Sequence, residues 1–144
     1  MAAQNYANHS RLVPIFHFVV LPLLLFTFIG SIVNLVKSLD DHERLYSAAL
    51  IVALSFAGFL TALLGRVFAL KAQDRAIRAE ENLRHFVLTG KLLDPRLSMG
   101  QIIALRFASD GEFVALAQRA AQDRLKPVDI KRAVQKWRAD EYRA

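Results

Sequence analysis

Two windows of this sequence carry no Asp, Glu, Lys or Arg. Residues 12–36, between Arg11 and Lys37, form a run of 25, and residues 45–65, between Arg44 and Arg66, form a run of 21. A helix rises about 1.5 Å per residue, so either run can cross the ~30 Å hydrocarbon layer of a bilayer. A freely soluble enzyme is excluded, and a β-barrel nearly so, because barrel strands are shorter and alternate in polarity. The expected fold class is an all-α membrane protein. Spans at 12–36 and 45–65 form an antiparallel hairpin, the second helix extends into the cytoplasm, and three short helices follow it.

Charge sorts along the same division. The net charge is +6. Residues 1–65 are neutral overall, with Arg11, Lys37 and Arg44 balanced by Asp40, Asp41 and Glu43, so the whole excess lies in residues 66–144. Lys and Arg favour the cytoplasmic flank of a span. The loop 37–44 is acidic on balance, whereas Arg11, Arg66, Lys71, Arg75 and Arg78 stand on the far side. Both termini are therefore expected in the cytoplasm. The first run is too long for the core of a cleavable leader, and no small-x-small site follows it, so it is expected to be retained. The organisation is a short cytoplasmic N-terminus (1–11), a membrane hairpin (12–65) and a cytoplasmic helical domain (66–144).

Several local signals refine this plan. Pro14 lies in the first turn, where proline is tolerated, but Pro22 is interior and should kink the first span near Phe18. Asp40 with Glu43 reads as a capping box for the second helix. That helix meets no breaker before Gly90, so it should run from about 41 to 89. Residues 91–98 read as a linker around Asp94-Pro95. Ser98 with Gln101, and Ser109 with Glu112, are two further capping boxes, the second opening a helix through about Leu125. Pro127 starts a last helix, with Ile130, Ala133, Val134 and Trp137 on one face and Trp137 as its anchor.

The most informative pattern lies along the second helix. Ala48, Ile51, Ser55, Gly58, Ala62, Gly65, Ala69, Ala72, Ala76, Ala79, Leu83 and Phe86 alternate in steps of three and four. This is a heptad seam, small-sided for most of its length. In a bilayer such residues allow close backbone approach, and outside it the same period marks a coiled coil. The membrane half can be covered by the first span. The cytoplasmic half needs another partner: the C-terminal helices folding back, or a second copy of the chain.

Chemistry-bearing residues are few. No cysteine is present, so thiolate nucleophiles and thiolate metal sites are excluded. The four histidines have no metal-ligand spacing, and no metal, cofactor or catalytic residue is expected. His17 is the one side chain within a span that can carry charge near neutral pH. It serves an interfacial packing role or contacts a lipid head or a partner; haem would require the histidines of two chains. Arg66, Lys71, Arg75 and Arg78 solvate the first cytoplasmic turns and are placed to meet anionic lipid heads. Asp74 is spaced to support Arg78 across one turn. Nucleic acid is not the expected partner: the basic residues of 66–144 are interleaved with acids and form no uniform stripe, and the basic face of the last helix suits a solvated helix beside a membrane equally well.

The stretch Leu97-Ser98-Met99-Gly100-Gln101-Ile102-Ile103-Ala104-Leu105-Arg106-Phe107-Ala108-Ser109-Asp110, with Asp129-Ile130-Lys131 and Gln135-Lys136-Trp137-Arg138, resembles a family of small uncharacterised bacterial membrane proteins. The resemblance implies an inner-membrane location and a hairpin followed by this tail. It brings no activity, cofactor or catalytic residue. The function expected is a non-enzymatic scaffold or accessory subunit of a bacterial inner-membrane complex, binding lipids and either itself or another membrane protein. The alternative is an oligomeric transport or channel component.

Overall fold

The computed structural model describes residues 5–7 and 12–140. Among them are a π-helical turn, Phe16–Val20, and five α-helices: α1 (Leu21–Lys37), α2 (His42–Thr89), α3 (Met99–Leu105), α4 (Asp110–Gln122) and α5 (Pro127–Ala133). The chain is all-helical, with no strand beyond one isolated bridge in the described residues. It divides into two compact units. One is Leu12–Ala69, and the other holds, among the described residues, 70–140 together with 5–7.

Two helices are long and apolar enough to cross a membrane, Phe16–Lys37 and α2, the latter belonging to the first unit as far as Ala69. The π-helical turn sits where Pro22 interrupts the ladder. Pro22 has no N–H to offer the Phe18 carbonyl, and its ring crowds that oxygen. The backbone widens one turn earlier, with the Leu21 N–H reaching back five residues to Phe16 O. The kink expected from Pro22 thus takes the form of a π-turn. Between the helices, Leu24 meets Gly58, Phe28 meets Phe56 with ring centroids 5.4 Å apart, and Ser31 Oγ lies 3.0 Å from Ser55 Oγ. As one number rises the other falls, so the pairing is antiparallel. Each serine hydroxyl is also near its own helix, at Phe28 O and Val52 O. One of the two donates across and the other to its backbone, leaving no buried hydroxyl without a partner. The second helix starts one residue later than the sequence implied. Asp41, not Asp40, caps it: its Oδ1 accepts from the N–H groups of Glu43 (3.1 Å) and Arg44 (3.3 Å).

In the second unit α2 ends at Gly90, whose φ of 72° is open to a residue without Cβ and whose N–H donates to Phe86 O at 2.7 Å. The segment after it is not a loose linker. Leu93 and Leu97 are buried, and Arg96 grips Asp94 with paired bonds of 2.7 and 3.0 Å. Those bonds hold the Asp94 carboxyl down at about 2. Both capping boxes form, at Ser98/Gln101 and Ser109/Glu112. Gln101 does more than cap. Its buried Nε2 donates to Ala120 O (3.2 Å) and Leu125 O (2.9 Å), tying the start of α3 to the end of α4. The core between α3, α4 and α5 is built on Leu105, Phe113, Ala120 and Ile130, all fully buried.

Two expectations fail at the C-terminal side. α4 stops at Gln122 rather than near Leu125, because Arg124 takes φ 51° and the Leu125 N–H turns back to Ala120 O. The last helix ends at Ala133, where Val134 becomes extended. Trp137 therefore anchors no helix. It pairs with Ala108 in an antiparallel bridge, with Ser109 N donating to Lys136 O at 3.1 Å and Arg138 N to Phe107 O at 2.8 Å. Its ring lies 5.0 Å from that of Phe107. Glu112 is the reason. Its carboxylate accepts from the N–H groups of Gln135 (3.1 Å) and Lys136 (3.0 Å), which a continuing helix would have used. The basic residues from Lys131 to Arg138 consequently share no single helix face.

Burial alone would raise the Glu112 carboxyl, but the backbone donors at Gln135, Lys136 and Ser109 outweigh it and hold it below the ordinary range. A lowered folded-state value stabilises above the unfolded value and is lost as pH falls through the folded one. Glu112→Gln is expected to cost about 1 kcal/mol at neutral pH and to make the tail less sensitive to acid. Trp137, the single tryptophan, reports both effects by fluorescence-monitored unfolding of the full chain in micelles.

Candidate functional site

The seam residues divide into three groups. Ala48 and Ser55 are buried, and Gly58 and Ala62 are half-buried, so the hairpin itself uses this part. A Cβ on Gly58 would sit 3.9 Å from Leu24 Cδ2, an ordinary contact. Gly65 and Ala69 are exposed, and nothing lies within 4 Å of a Cβ built on Gly65. Ala72, Ala76 and Ala79 are exposed as well, along with Leu83 and Phe86. The C-terminal helices do fold back on α2, but on another face, through Ile77, Glu81 and His85.

That docking face centres on Arg84. Its guanidinium donates to Glu81 (3.0 Å), to Asp110 (2.6 Å) and to the Ala108 carbonyl (2.7 Å), and it lies over the Phe113 ring at 4.3 Å. Glu81 also faces Arg138 at 3.7 Å. The Glu81 side chain is only 5% exposed. Burial raises its carboxyl above the usual range, more than Arg84 and Arg138 pull it down. His85 is buried beside them, its Nδ1 2.7 Å from Lys91 O and its ring edge-on to Phe113. Next to this network lies a cleft of about 430 Å³ between α2 and Arg138–Asp140. Arg106 lines it and pairs with Asp140 at 3.1 Å, and Gln73 presents a buried Oε1 with no hydrogen-bond donor.

The basic residues of the first turns are not gathered into a pocket. Lys71, Arg75 and Arg78 are exposed and Arg66 half-exposed. The Asp74–Arg78 ion pair expected from spacing does not form among the described residues; Asp74 is half-buried and Arg78 exposed. His17 is folded back on its own helix, with Nδ1 2.9 Å from Val13 O and the ring edge-on to Phe16. Among the described residues no three His, Asp or Glu side chains are grouped to hold a metal.

Sequence reasoning missed Glu81, Arg84 and His85. The signal available was the four-residue step through Gln73, Ile77, Glu81 and His85, a stripe opposite the alanines with polar groups at its centre. Polar residues rarely announce a docking face, because a charge buried there needs a partner whose position only the fold reveals.

The whole chain, residues 1–144, matches the family of unknown function DUF6526. The chain belongs to this family. No curated protein and no solved structure matches the chain. For this DUF6526 chain the two long apolar helices point to a membrane location.

Two substitutions separate the roles of the glycines. Gly58→Leu should disrupt the hairpin by colliding with Leu24, whereas Gly65→Leu should leave it intact; near-ultraviolet circular dichroism in micelles distinguishes them. Arg84→Met leaves Glu81 buried with only the 3.7 Å contact to Arg138, and should destabilise the tail by about 3–5 kcal/mol. Adding Glu81→Leu should recover part of that loss in Trp137-monitored denaturation.

Proposed function

We propose that this DUF6526 chain is a non-enzymatic scaffold or accessory subunit of a bacterial inner-membrane complex, with both termini in the cytoplasm. The carrying observation is the exposed face of α2 at Ala72, Ala76, Ala79, Leu83 and Phe86, left open by a tail that has closed its own core elsewhere. An uncovered apolar face on an ordered helix is a docking surface. The excess of basic residues after residue 65 supports the cytoplasmic side for the tail. Arg66, Lys71, Arg75 and Arg78 make no ion pair with the described residues, which leaves them available to anionic lipid heads. His17 is a contact at the membrane boundary.

The span polar groups favour this reading over a transport path. Thr27, Ser31 and Ser55 direct their hydroxyls to backbone oxygens or to each other. Native mass determination in lipid should give a defined assembly, and reconstituted vesicles should show no ion flux above protein-free controls. A single-chain mass, or flux abolished by substitution at Ser55, would overturn the proposal. For topology, a cysteine introduced at Leu39 should react with an impermeant maleimide added to whole cells, and one at Asp123 only after lysis.

A further inference from the structure

We propose that α2 pairs, in parallel, with α2 of a second copy of this chain, through the face carrying Ala72, Ala76, Ala79, Leu83 and Phe86. The inference deepens the scaffold reading and rests on it. These five positions step by four, three, four and three. At about 100° per residue they fall within a stripe roughly 80° wide. Ile77, Glu81 and His85, which hold the tail, lie about 180° away; Ala76 and Glu80 border the open cleft toward Arg138–Asp140, so a helix laid on the stripe runs beside that cleft and opposite the docked face. Leu83 is 64% exposed and Phe86 51%, beside Val87 at 75%. The three alanines let a partner backbone come close, and Leu83 and Phe86 supply the apolar area.

The occupant is indicated by charge and by direction. Arg75 flanks one edge of the stripe and Glu80 the other, both exposed and without an ion pair among the described residues. In a parallel pair with heptad contacts, one edge faces the opposite edge of the partner five residues on, as g to e positions do. Arg75 of one copy then meets Glu80 of the other, twice by symmetry. An antiparallel pair would lose this match. Two copies inserted the same way round in one bilayer present α2 in parallel. Two heptads are marginal in water, and confinement by the spans raises the effective concentration that makes them sufficient.

The chain has no cysteine, so single-cysteine variants of the full chain in native membranes read the face directly. In a parallel pair identical residues meet. Ala72→Cys, Ala76→Cys, Ala79→Cys and Leu83→Cys should form disulfide dimers under mild oxidation. Lys71→Cys and Arg78→Cys, equally exposed but off the stripe, should form several-fold less. Arg75→Glu should reduce cross-linking at residue 76, and adding Glu80→Arg should restore it. Unchanged Trp137 fluorescence confirms that each variant is folded. Cross-linking that ignores the face, or its absence at every position, overturns the pairing. A complex with a different protein but no self-cross-link overturns the pairing and leaves the scaffold reading standing. Face-specific dimers together with vesicle flux would keep the pairing and overturn the scaffold.

Discussion

Arg84 joins the long helix to the tail, and most of the tail's geometry follows from satisfying it. A guanidinium that is nine-tenths buried must find acceptors for its donors, or its desolvation would unfold what surrounds it. It finds Glu81 on its own helix, Asp110 and the Ala108 carbonyl on the tail, and the face of Phe113 beneath. These contacts set where α4 begins relative to α2. They also fix the Phe107–Ser109 segment, against which the chain between Lys136 and Arg138 then pairs. A polar anchor of this kind specifies position more than it adds stability. Apolar residues of equal volume would bind as well, with less demand on register.

Much of the architecture was legible because it rests on local rules. The uncharged windows marked the two long apolar helices, the Ser98/Gln101 and Ser109/Glu112 spacings marked two helix starts, and Gly90 marked the end of α2. What escaped was what depends on partners distant in sequence. The expectation that Trp137 extends the last helix was sound by propensity and was overridden by Glu112, whose carboxylate takes two backbone donors more than twenty residues away. Arg124 ends α4 in a conformation that glycine would have announced. The cap of α2 shifted from Asp40 to Asp41, a choice between neighbours that sequence alone leaves nearly even.

The candidate surface was legible in part. The three-four stripe was visible along α2, but the structure gives its halves different uses. Around Ser55 and Gly58 the stripe closes the hairpin; from Ala72 onward it faces outward. The face that holds the tail was not visible, because Ile77, Glu81, Arg84 and His85 look like an ordinary solvated stretch until the groups opposite them are known. Glu81 and Glu112 illustrate the same point in opposite directions: burial raises the first, whereas backbone donors depress the second.

The clasp between Ala108 and Trp137 also has a consequence for synthesis. Both long apolar runs are translated before residue 70, whereas the tail cannot close until residues 136–138 have left the ribosome. The two long apolar helices are therefore complete while Arg84, Glu81 and the apolar side of α4 are still without their final neighbours. During that interval the emerging tail exposes apolar surface of the kind that chaperones shield on nascent chains. A truncation just before Gln135 would extend the interval indefinitely. It would leave a chain whose long apolar helices are complete and whose tail is permanently open to proteolysis.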